Sequence, residues 1–246
     1  GGAMYPPYLP VNEVYYTDVS TGVITSWQTT TPLNIGLQLG GSVVNGNFIY
    51  YAGGFNNNVN DIKDKVYYAP INPDGTIGDW ITSSVSLPTP LEGFGMVEYN
   101  NNLIIVGGGG NSGWSGKTYK ASVNTSDGSI SPWQELTELP ETIYRAGVIR
   151  VESNLIVAGG SNKDKVYYSN INPDGTLGTW NLSSNSLPKP VTDGAIAYAN
   201  GYLYLTGGHD DHDAYLNTVY FTKINSESDL EVPLIKQTDP IWGSDI

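Results

Sequence analysis

The sequence predicts an all-β fold, a small β-propeller of four-stranded antiparallel blades, on three observations. Residues 166–180 (VYYSNINPDGTLGTW) match residues 66–80 (VYYAPINPDGTIGDW) at 11 of 15 positions. Weaker copies begin at Val14, Thr118 and Val219, so that successive copies start 48 to 53 residues apart. Gly-Gly and Asp-Gly pairs recur in phase with the copies. A period of about 50 residues indicates an array of supersecondary units, each of which buries its apolar face only against its neighbours.

Four strands are predicted in each unit, and the second complete unit shows them best. Its strands are expected at residues 94–99, 103–106, 119–123 and 130–136. The second strand ends in a Gly-Gly pair, where backbones approach too closely for a Cβ atom. The third and fourth strands flank an Asp-Gly pair, which favours the positive φ of a tight hairpin turn. The unit ends at a Leu-Pro pair, because proline lacks the N–H that further strand pairing needs.

The same signals recur along the chain. Second strands are expected at residues 47–52, 155–158 and 202–206, Asp-Gly turns at 74–75, 127–128 and 174–175, and Leu-Pro pairs at 87–88, 139–140 and 187–188. No long stretch has the period of a helix. Four-stranded sheets repeated in this way form a β-propeller.

Counting strands leaves one blade incomplete. Four complete units begin near residues 41, 94, 146 and 194, whereas residues 14–29 supply only the outer hairpin of a fifth. We expect five blades, the fifth completed by the termini, with residues 8–11 and 240–246 as candidate strands. Two alternatives stay open: the chain is a fragment of a larger propeller, or a second chain completes the blade.

The chain divides into three segments. Residues 1–13 hold Gly-Gly-Ala-Met, which resembles the remnant of an expression vector, and a Pro-rich arm. Residues 14–236 form the propeller, and residues 237–246 are a tail and a possible closing strand. If the first four residues are such a remnant, the natural protein is expected to continue in both directions.

An apolar strand ending in Gly-Gly, followed by a tyrosine and then a tryptophan, resembles the kelch repeat. The resemblance covers residues 14–236, with four Gly-Gly ends and four tryptophans in phase. It implies a propeller on which the loops between units and the loops after Gly-Gly emerge on one face. The sequence departs from the family pattern in two ways. A basic residue after the Leu-Pro element survives only near Arg145, and Val232 stands close to where the last unit would have its tryptophan.

Composition excludes several classes of function. With 11 basic and 24 acidic residues the net charge is −13, which argues against nucleic acid and anionic membranes as partners. Cysteine is absent, so no thiolate nucleophile or Cys-ligated zinc is available. No apolar segment is long enough to span a bilayer. We expect no cofactor, and the low-lysine, tyrosine-rich composition resembles secreted, cell-surface or virion-associated proteins.

Aromatic and polar residues of the variable loops are the candidate ligand-binding set. Trp114 lies in a Gly-rich loop outside the repeat positions, and Phe55 and Tyr215 occupy equivalent loops. Tyr144 and Arg145 are expected near the mouth of the central channel. An aromatic residue on such a loop suits a sugar ring or a protein surface, although each ring is also able to fold back onto its own loop.

Two further constellations are candidates for chemistry. His209, Asp210, Asp211, His212 and Asp213 hold ligand types for a divalent metal, but their spacing matches no metal signature, so no metal is assigned. Glu92, Arg145 and Asp193 occupy nearly equivalent places in successive units, so we expect them around one axis. Two carboxylates and a guanidinium suit acid–base work on a sugar, and equally suit solvated rim charges that pair with each other.

The predicted function is a non-enzymatic recognition module for a glycan or a protein surface. Among kelch-like enzymes, galactose oxidase is excluded because its copper site needs a cysteine-crosslinked tyrosine. Sialic acid mutarotases need only acid–base groups around the channel, so a sugar epimerase with Glu92 and Asp193 as acid and base is the competing class. A third class is a structural spacer in a surface or virion protein. The ligand and the oligomeric state are left open.

Overall fold

The computed structural model describes residues 2–4, 9–224 and 235–237, with side chains over residues 11–224. Every regular element in this part of the chain is a β-strand. None of its segments is a helix long and apolar enough to cross a membrane. The predicted all-β class is confirmed.

The strands fall into three groups along the chain. Before the first complete blade lie β1 (Gly2–Met4), β2 (Leu9–Val11), β3 (Val14–Tyr16) and β4 (Gln28–Thr30). The first two blades and their loops hold β5 (Gly41–Asn45), β6 (Phe48–Ala52), β7 (Phe55–Asn56), β8 (Asp61–Ile62), β9 (Val66–Pro70), β10 (Ile81–Thr82), β11 (Gly95–Tyr99), β12 (Asn102–Val106), β13 (Gly109–Gly110), β14 (Gly113–Trp114), β15 (Thr118–Ser122) and β16 (Gln134–Glu135). The last two blades hold β17 (Gly147–Val151), β18 (Asn154–Ala158), β19 (Val166–Asn170), β20 (Asn181–Leu182), β21 (Ala195–Ala199), β22 (Tyr202–Thr206), β23 (Val219–Lys223) and β24 (Ile235–Gln237).

Four sheets of four antiparallel strands form the blades of a propeller. In order, the sheets are β5-β6-β9-β10, β11-β12-β15-β16, β17-β18-β19-β20 and β21-β22-β23-β24. The predicted Asp-Gly turns lie between third and fourth strands, and Gly75, Gly128 and Gly175 have φ of 84°, 76° and 80°. Glycine adopts this left-handed conformation without the steric cost of a Cβ.

Neighbouring blades bury apolar faces against each other. The first strands contact one another in the order β5, β11, β17 and β21, so they surround the propeller axis. Tyr50, Ile104 and Ile156, from the second strands of the first three blades, are each 0% exposed. Glycine begins these blades because the next blade is so close: a Cβ on Gly95 would lie 2.2 Å from a methyl of Val148. Burial of this apolar area stabilises the blade stack by about 25 cal/mol per Å².

A two-stranded hairpin, β3 with β4, stands beside the first blade. Val14 packs against the cluster that contains Leu33, Tyr51 and Trp80. The Thr31 hydroxyl donates to the carbonyl oxygen of Ile77 at 2.6 Å. The described chain therefore has four complete blades and the outer hairpin of a fifth.

The termini do not complete this fifth blade within the described residues. Leu9–Val11, expected as an inner strand, pairs with Gly2–Met4 and not with β3. The register of this pairing shows which repeat element the segment corresponds to. Ala3 pairs with Pro10, and 52 residues later Phe55 pairs with Ile62 in the hairpin of β7 and β8. The hairpin of β1 and β2 is thus equivalent to the loop hairpin of β7 and β8. Residues 240–246, the other candidate, lie outside the described residues.

Candidate functional site

One end of the propeller is built from four equivalent backbone pairings, and we call it the channel mouth. In each complete blade, a residue that precedes the first strand pairs with the residue directly after the Gly-Gly pair. The pairs are Gln38 with Phe55, Glu92 with Gly109, Tyr144 with Ser161 and Thr192 with His209. Three of the pairs exchange two backbone bonds, and in the third blade the Ser161 N–H donates to the Tyr144 carbonyl while the Tyr144 N–H donates to Ser161 Oγ; the donor–acceptor distances run from 2.7 to 3.0 Å. The repeat therefore brings its variable loops to one surface.

A second set of equivalent residues links the blades around the mouth. Leu39, Gly93, Arg145 and Asp193 have φ of 61°, 60°, 57° and 59°. The N–H of Gly93 donates to the carbonyl of Leu39 at 2.8 Å, that of Arg145 to Gly93 at 2.7 Å, and that of Asp193 to Arg145 at 3.0 Å. Positive φ is uncommon outside glycine and costs energy, so three such residues at one rim mark a constrained site.

Tyr144 is the centre of an aromatic stack at the mouth. The indole of Trp114 lies nearly parallel to its ring, with 5.5 Å between centroids and 11° between planes. The guanidinium carbon of Arg145 lies 4.9 Å from the centroid of the same ring. The Tyr144 ring fits because Gly93 and Gly109 have no side chains: a Cβ on either would meet that ring at 2.5 or 3.0 Å. Trp114 stays 53% exposed, so it is available as a platform.

Polar groups flank this stack. The Tyr144 hydroxyl donates to Glu92 Oε1 at 2.8 Å. Arg145 Nη1 donates to Asp193 Oδ2 at 3.0 Å, and His209 Nε2 lies 3.5 Å from the same carboxylate oxygen. Burial, followed by the hydrogen bond to Glu92, raises the pKa of Tyr144 to about 12. The phenol is therefore a neutral donor at physiological pH.

A shallow cavity of about 220 Å³ opens at the centre of the mouth. The left-handed residues Leu39, Gly93, Arg145 and Asp193 line it. Two buried atoms beside it, Glu92 Oε2 and Arg145 Nε, have no hydrogen-bond partner among the described residues. Buried polar atoms are nearly always paired, so these two are available to a ligand at the mouth, although the blade strands also hold unpaired buried atoms such as Thr118 Oγ1 and Thr222 Oγ1.

The structure brings some of the predicted ligand-binding residues together and leaves others apart. Trp114, Tyr144 and Arg145 form one contact group. Phe55 is half-buried in a backbone bridge with Gln38, and Tyr215 is 93% exposed in a bridge with His209. Neither ring stacks on Trp114 or Tyr144 within the described chain. They belong to the same end of the propeller but to different blades.

The candidate catalytic residues lie at the mouth in two different registers. Arg145 and Asp193 share the left-handed position, whereas Glu92 lies one residue earlier in its unit. Each carboxylate has a partner, Tyr144 for Glu92 and Arg145 for Asp193. Each carboxylate therefore accepts one hydrogen bond that fixes its position, which suits a role in holding a ligand.

The candidate metal ligands of residues 209–213 separate into two groups. Ligand atoms of Asp210, Asp211 and His212 lie within 4.8 Å of one another. The Asp210 carboxylate, however, accepts the backbone N–H groups of His212 and Ala214, each at 3.0 Å, and these bonds lower its pKa. His209 instead faces Asp193, with Asp213 Oδ1 3.5 Å from its Nδ1. Asp210 thus shapes the loop, and the five residues do not form a single ligand set.

Sequence reasoning missed two features of this site. The left-handed conformation of Leu39 and Arg145 has no sequence signal, because positive φ outside glycine is enriched in asparagine, aspartate and histidine, of which only Asp193 is an example here. The glycines that make room for Tyr144 were visible, but Gly93 and Gly109 were not linked to it. Compared with known proteins, the chain matches no protein-family model and no curated protein.

Proposed function

We propose that the protein is a non-enzymatic, kelch-like recognition module that binds a glycan at the channel mouth. The observation that carries the proposal is the exposed Trp114 stacked on Tyr144, with charged groups at both sides of the stack. A sugar ring presents an apolar face to an indole and hydroxyls to planar donors and acceptors. The mouth offers both kinds of surface within one contact group.

The rigidity of the mouth supports binding. Tyr144 is fixed by its hydrogen bond to Glu92 and by the absence of side chains on Gly93 and Gly109. Arg145 is fixed by Asp193 and by the backbone bonds of the left-handed residues. Side chains that are already ordered lose little conformational entropy when a ligand arrives, which favours affinity.

The hydrogen bonds that the carboxylates of Glu92 and Asp193 accept favour binding over sugar epimerisation. General acid–base catalysis needs groups free to exchange protons with the substrate. Glu92 accepts from a phenol whose pKa is about 12, and Asp193 accepts from a guanidinium. Each bond fixes one carboxylate oxygen against a neighbouring donor, and such fixed side chains suit a recognition role.

A glycan array probed with the labelled protein tests the proposal, followed by calorimetry on the best oligosaccharide. Trp114→Ala should weaken binding at least about tenfold, since buried aromatic anchors at binding sites each contribute about 1.4 kcal/mol or more. Arg145→Asn should weaken it too, while asparagine retains the positive φ.

The matched control is Trp27→Ala, which removes an indole that is 63% exposed in the outer hairpin. It should leave glycan binding unchanged. If no glycan is retained, or if Trp114→Ala and Trp27→Ala bind it equally well, the proposed glycan site is wrong.

A further inference from the structure

The second and fourth blades carry an aromatic residue at the same backbone position of their variable loops. In the second blade, the N–H of Ser115 donates at 2.9 Å to the carbonyl of the second glycine in the Gly-Gly pair. In the fourth blade, the N–H of Leu216 makes the equivalent bond, also at 2.9 Å. The residues directly before these two donors are Trp114 and Tyr215. The repeat therefore places their two rings at matching points of the channel mouth.

Both residues are held by cross-strand pairing, and both rings are exposed. Trp114 pairs with Gly109 and Tyr215 pairs with His209, and both partners come directly after a Gly-Gly pair. Trp114 stays 53% exposed although it stacks on Tyr144 of the third blade, and Tyr215 is 93% exposed. Because Trp114 keeps this exposure with the following blade in place, the position itself faces solvent. Each ring is therefore available as a platform.

The first and third blades carry a different kind of residue at this position. The N–H groups of Lys63 and Lys163 make the equivalent bonds to the second glycine, at 2.8 and 3.0 Å, so Ile62 and Asn162 precede them. Asn162 belongs to the blade between the two platforms, and its Oδ1 accepts the Thr192 hydroxyl at 3.1 Å. The third blade therefore places a fixed, exposed amide between the two rings, where it suits a sugar hydroxyl.

A row of polar side chains also lies between the two platforms. The guanidinium of Arg145, which lies over the ring of Tyr144, donates to Asp193 Oδ2 at 3.0 Å. His209 Nε2 lies 3.5 Å from the same oxygen, and His209 is the cross-strand partner of Tyr215. Contacts therefore run without a break from the Tyr144 stack to Tyr215, so the two platforms flank one continuous polar surface.

We propose that the channel mouth binds a linear, neutral oligosaccharide, with one sugar on Trp114, another on Tyr215 and the sugars between them over the polar row. The inference rests on the proposed glycan-binding function and adds the length and charge of the glycan. Each aromatic ring offers an apolar surface to the face of a sugar, while Arg145 and Asp193 offer a donor and an acceptor to its hydroxyls. Once one sugar is bound, the second platform is reached within the same complex, which raises affinity.

The shape and charge of the mouth favour such a ligand. Sites that enclose a small molecule have volumes of about 300–1,000 Å³, whereas the shallow cavity lined by Arg145 and Asp193 has about 220 Å³. A chain that lies across this surface fits it better than a single sugar enclosed within it. The charges of Arg145 and Asp193 offset each other, and the net charge of −13 repels anionic glycans.

Calorimetry with three series of oligosaccharides tests the length of the ligand. The series are β-1,4-linked glucose, β-1,4-linked N-acetylglucosamine and α-1,4-linked glucose, each from the monosaccharide to the hexasaccharide. In the series that binds, affinity should rise at least about tenfold from the monosaccharide to a chain that reaches both rings. Tyr215→Ala should remove this rise. Trp114→Ala should weaken binding along the whole series, because it removes the platform stacked on Tyr144.

Two variants of the fourth blade are matched controls. Tyr215→Phe keeps the aromatic ring and should keep the gain from chain length. Tyr198→Ala removes an exposed tyrosine ring from the first strand of the same blade, and it should leave binding unaltered. A loss of the gain in Tyr198→Ala as large as in Tyr215→Ala would contradict a specific platform at Tyr215.

The other outcomes separate this inference from the proposed function. Affinity that does not depend on chain length, or a rise that persists in Tyr215→Ala, would overturn the second platform and leave the Trp114 site in place. Tighter binding of α-1,4-linked galacturonic acid oligomers would overturn the assignment to neutral glycans. If none of the three series binds and the glycan array is also negative, the proposed function and this inference are both wrong.

Discussion

Trp80 donates its indole N–H to the carbonyl oxygen of Thr31 at 3.0 Å, and Trp180 makes the same bond to Thr137 at 2.9 Å. Each acceptor lies just after the fourth strand of the preceding unit. The two indoles are 8% and 6% exposed, whereas Trp27, at the same place in the repeat, is 63% exposed. Trp80 and Trp180 therefore join consecutive units, whereas the indole nitrogens of Trp27 and Trp133 lack that bond among the described residues.

Trp180→Phe tests this joint. The change keeps an aromatic ring, removes the N–H and leaves the Thr137 carbonyl without its donor. We expect the free energy of unfolding to fall by about 1–3 kcal/mol, the range for an unsatisfied buried group. Urea denaturation measures it, with Trp27→Phe as the control, which should stay within about 0.5 kcal/mol of wild type. Equal losses in the two variants would contradict the proposed joint.

Gly93→Ala tests the support of Tyr144. Leu39, Arg145 and Asp193 show that this backbone position tolerates a side chain at positive φ. At Gly93, however, the new methyl would lie 2.5 Å from Tyr144 Cε2. We expect a loss of about 1–3 kcal/mol from overpacking, together with a change in the near-ultraviolet circular dichroism of the Trp114–Tyr144 stack.

Gly46→Ala is the matched control for that change. Gly46 has φ of 54°, and no atom lies within 4 Å of an added Cβ. It should cost about 1 kcal/mol from backbone strain alone and leave the near-ultraviolet spectrum unaltered. A Gly93→Ala spectrum identical to wild type would show that Tyr144 does not depend on this glycine.

Glu141→Gln should have a pH-dependent effect. Burial alone would raise the pKa of Glu141, but hydrogen bonds from Lys163 at 2.6 Å and Tyr167 at 2.7 Å, with Lys165 nearby, lower it below its usual value. A lowered pKa stabilises the fold above the unfolded value near 4.3 and loses that stabilisation as pH falls through the folded value. We expect a difference of about 1–2 kcal/mol at pH 7 that shrinks below pH 4.

Urea titrations at pH 7, 5 and 3 measure this difference. Glu135→Gln is the control, because its partner Lys117 is exposed and ion pairs at the surface contribute little to stability. If the Glu141→Gln difference is constant over this pH range, the ion pairs do not account for the stability of this segment.

Tyr144→Phe should show the opposite pH dependence. The pKa of Tyr144 is raised to about 12 by burial and by the Glu92 carboxylate. A raised acid pKa stabilises the fold fully below the unfolded value near 10, and that stabilisation is lost as pH rises toward 12. We expect a difference of about 1 kcal/mol at pH 8, allowing for solvent screening, that narrows by pH 11.5. Tyr215→Phe, which removes an exposed hydroxyl, is the control and should leave the free energy of unfolding at pH 8 unchanged.

The blades were predictable because their signals are local and repeat. Asp-Gly turns, Gly-Gly strand ends and Leu-Pro stops each act through the backbone of a few residues, and the structure places the strands where those signals indicate. The hairpin of β1 and β2 was also predictable from the repeat in the sequence. Gly1-Gly2 stands 52 residues before Gly53-Gly54, yet composition alone suggested an arm.

The site was predictable only in part. Trp114, Tyr144 and Arg145 could be placed at one end of the propeller from the repeat, but their stacking depends on the missing side chains of Gly93 and Gly109. The pairing of Glu92 with Tyr144 joins residues at the same position of neighbouring units, each directly before a left-handed residue. Such contacts are set by tertiary geometry, which a single sequence does not encode locally.

The sequence copies and the blades are out of step, since copies begin at the third strand of each sheet. Each sequence copy therefore supplies the two outer strands of one blade and the two inner strands of the next. Unfolding of any one blade removes half of two sequence copies and exposes the apolar faces of both neighbouring blades. We therefore expect all blades to unfold together in one cooperative transition.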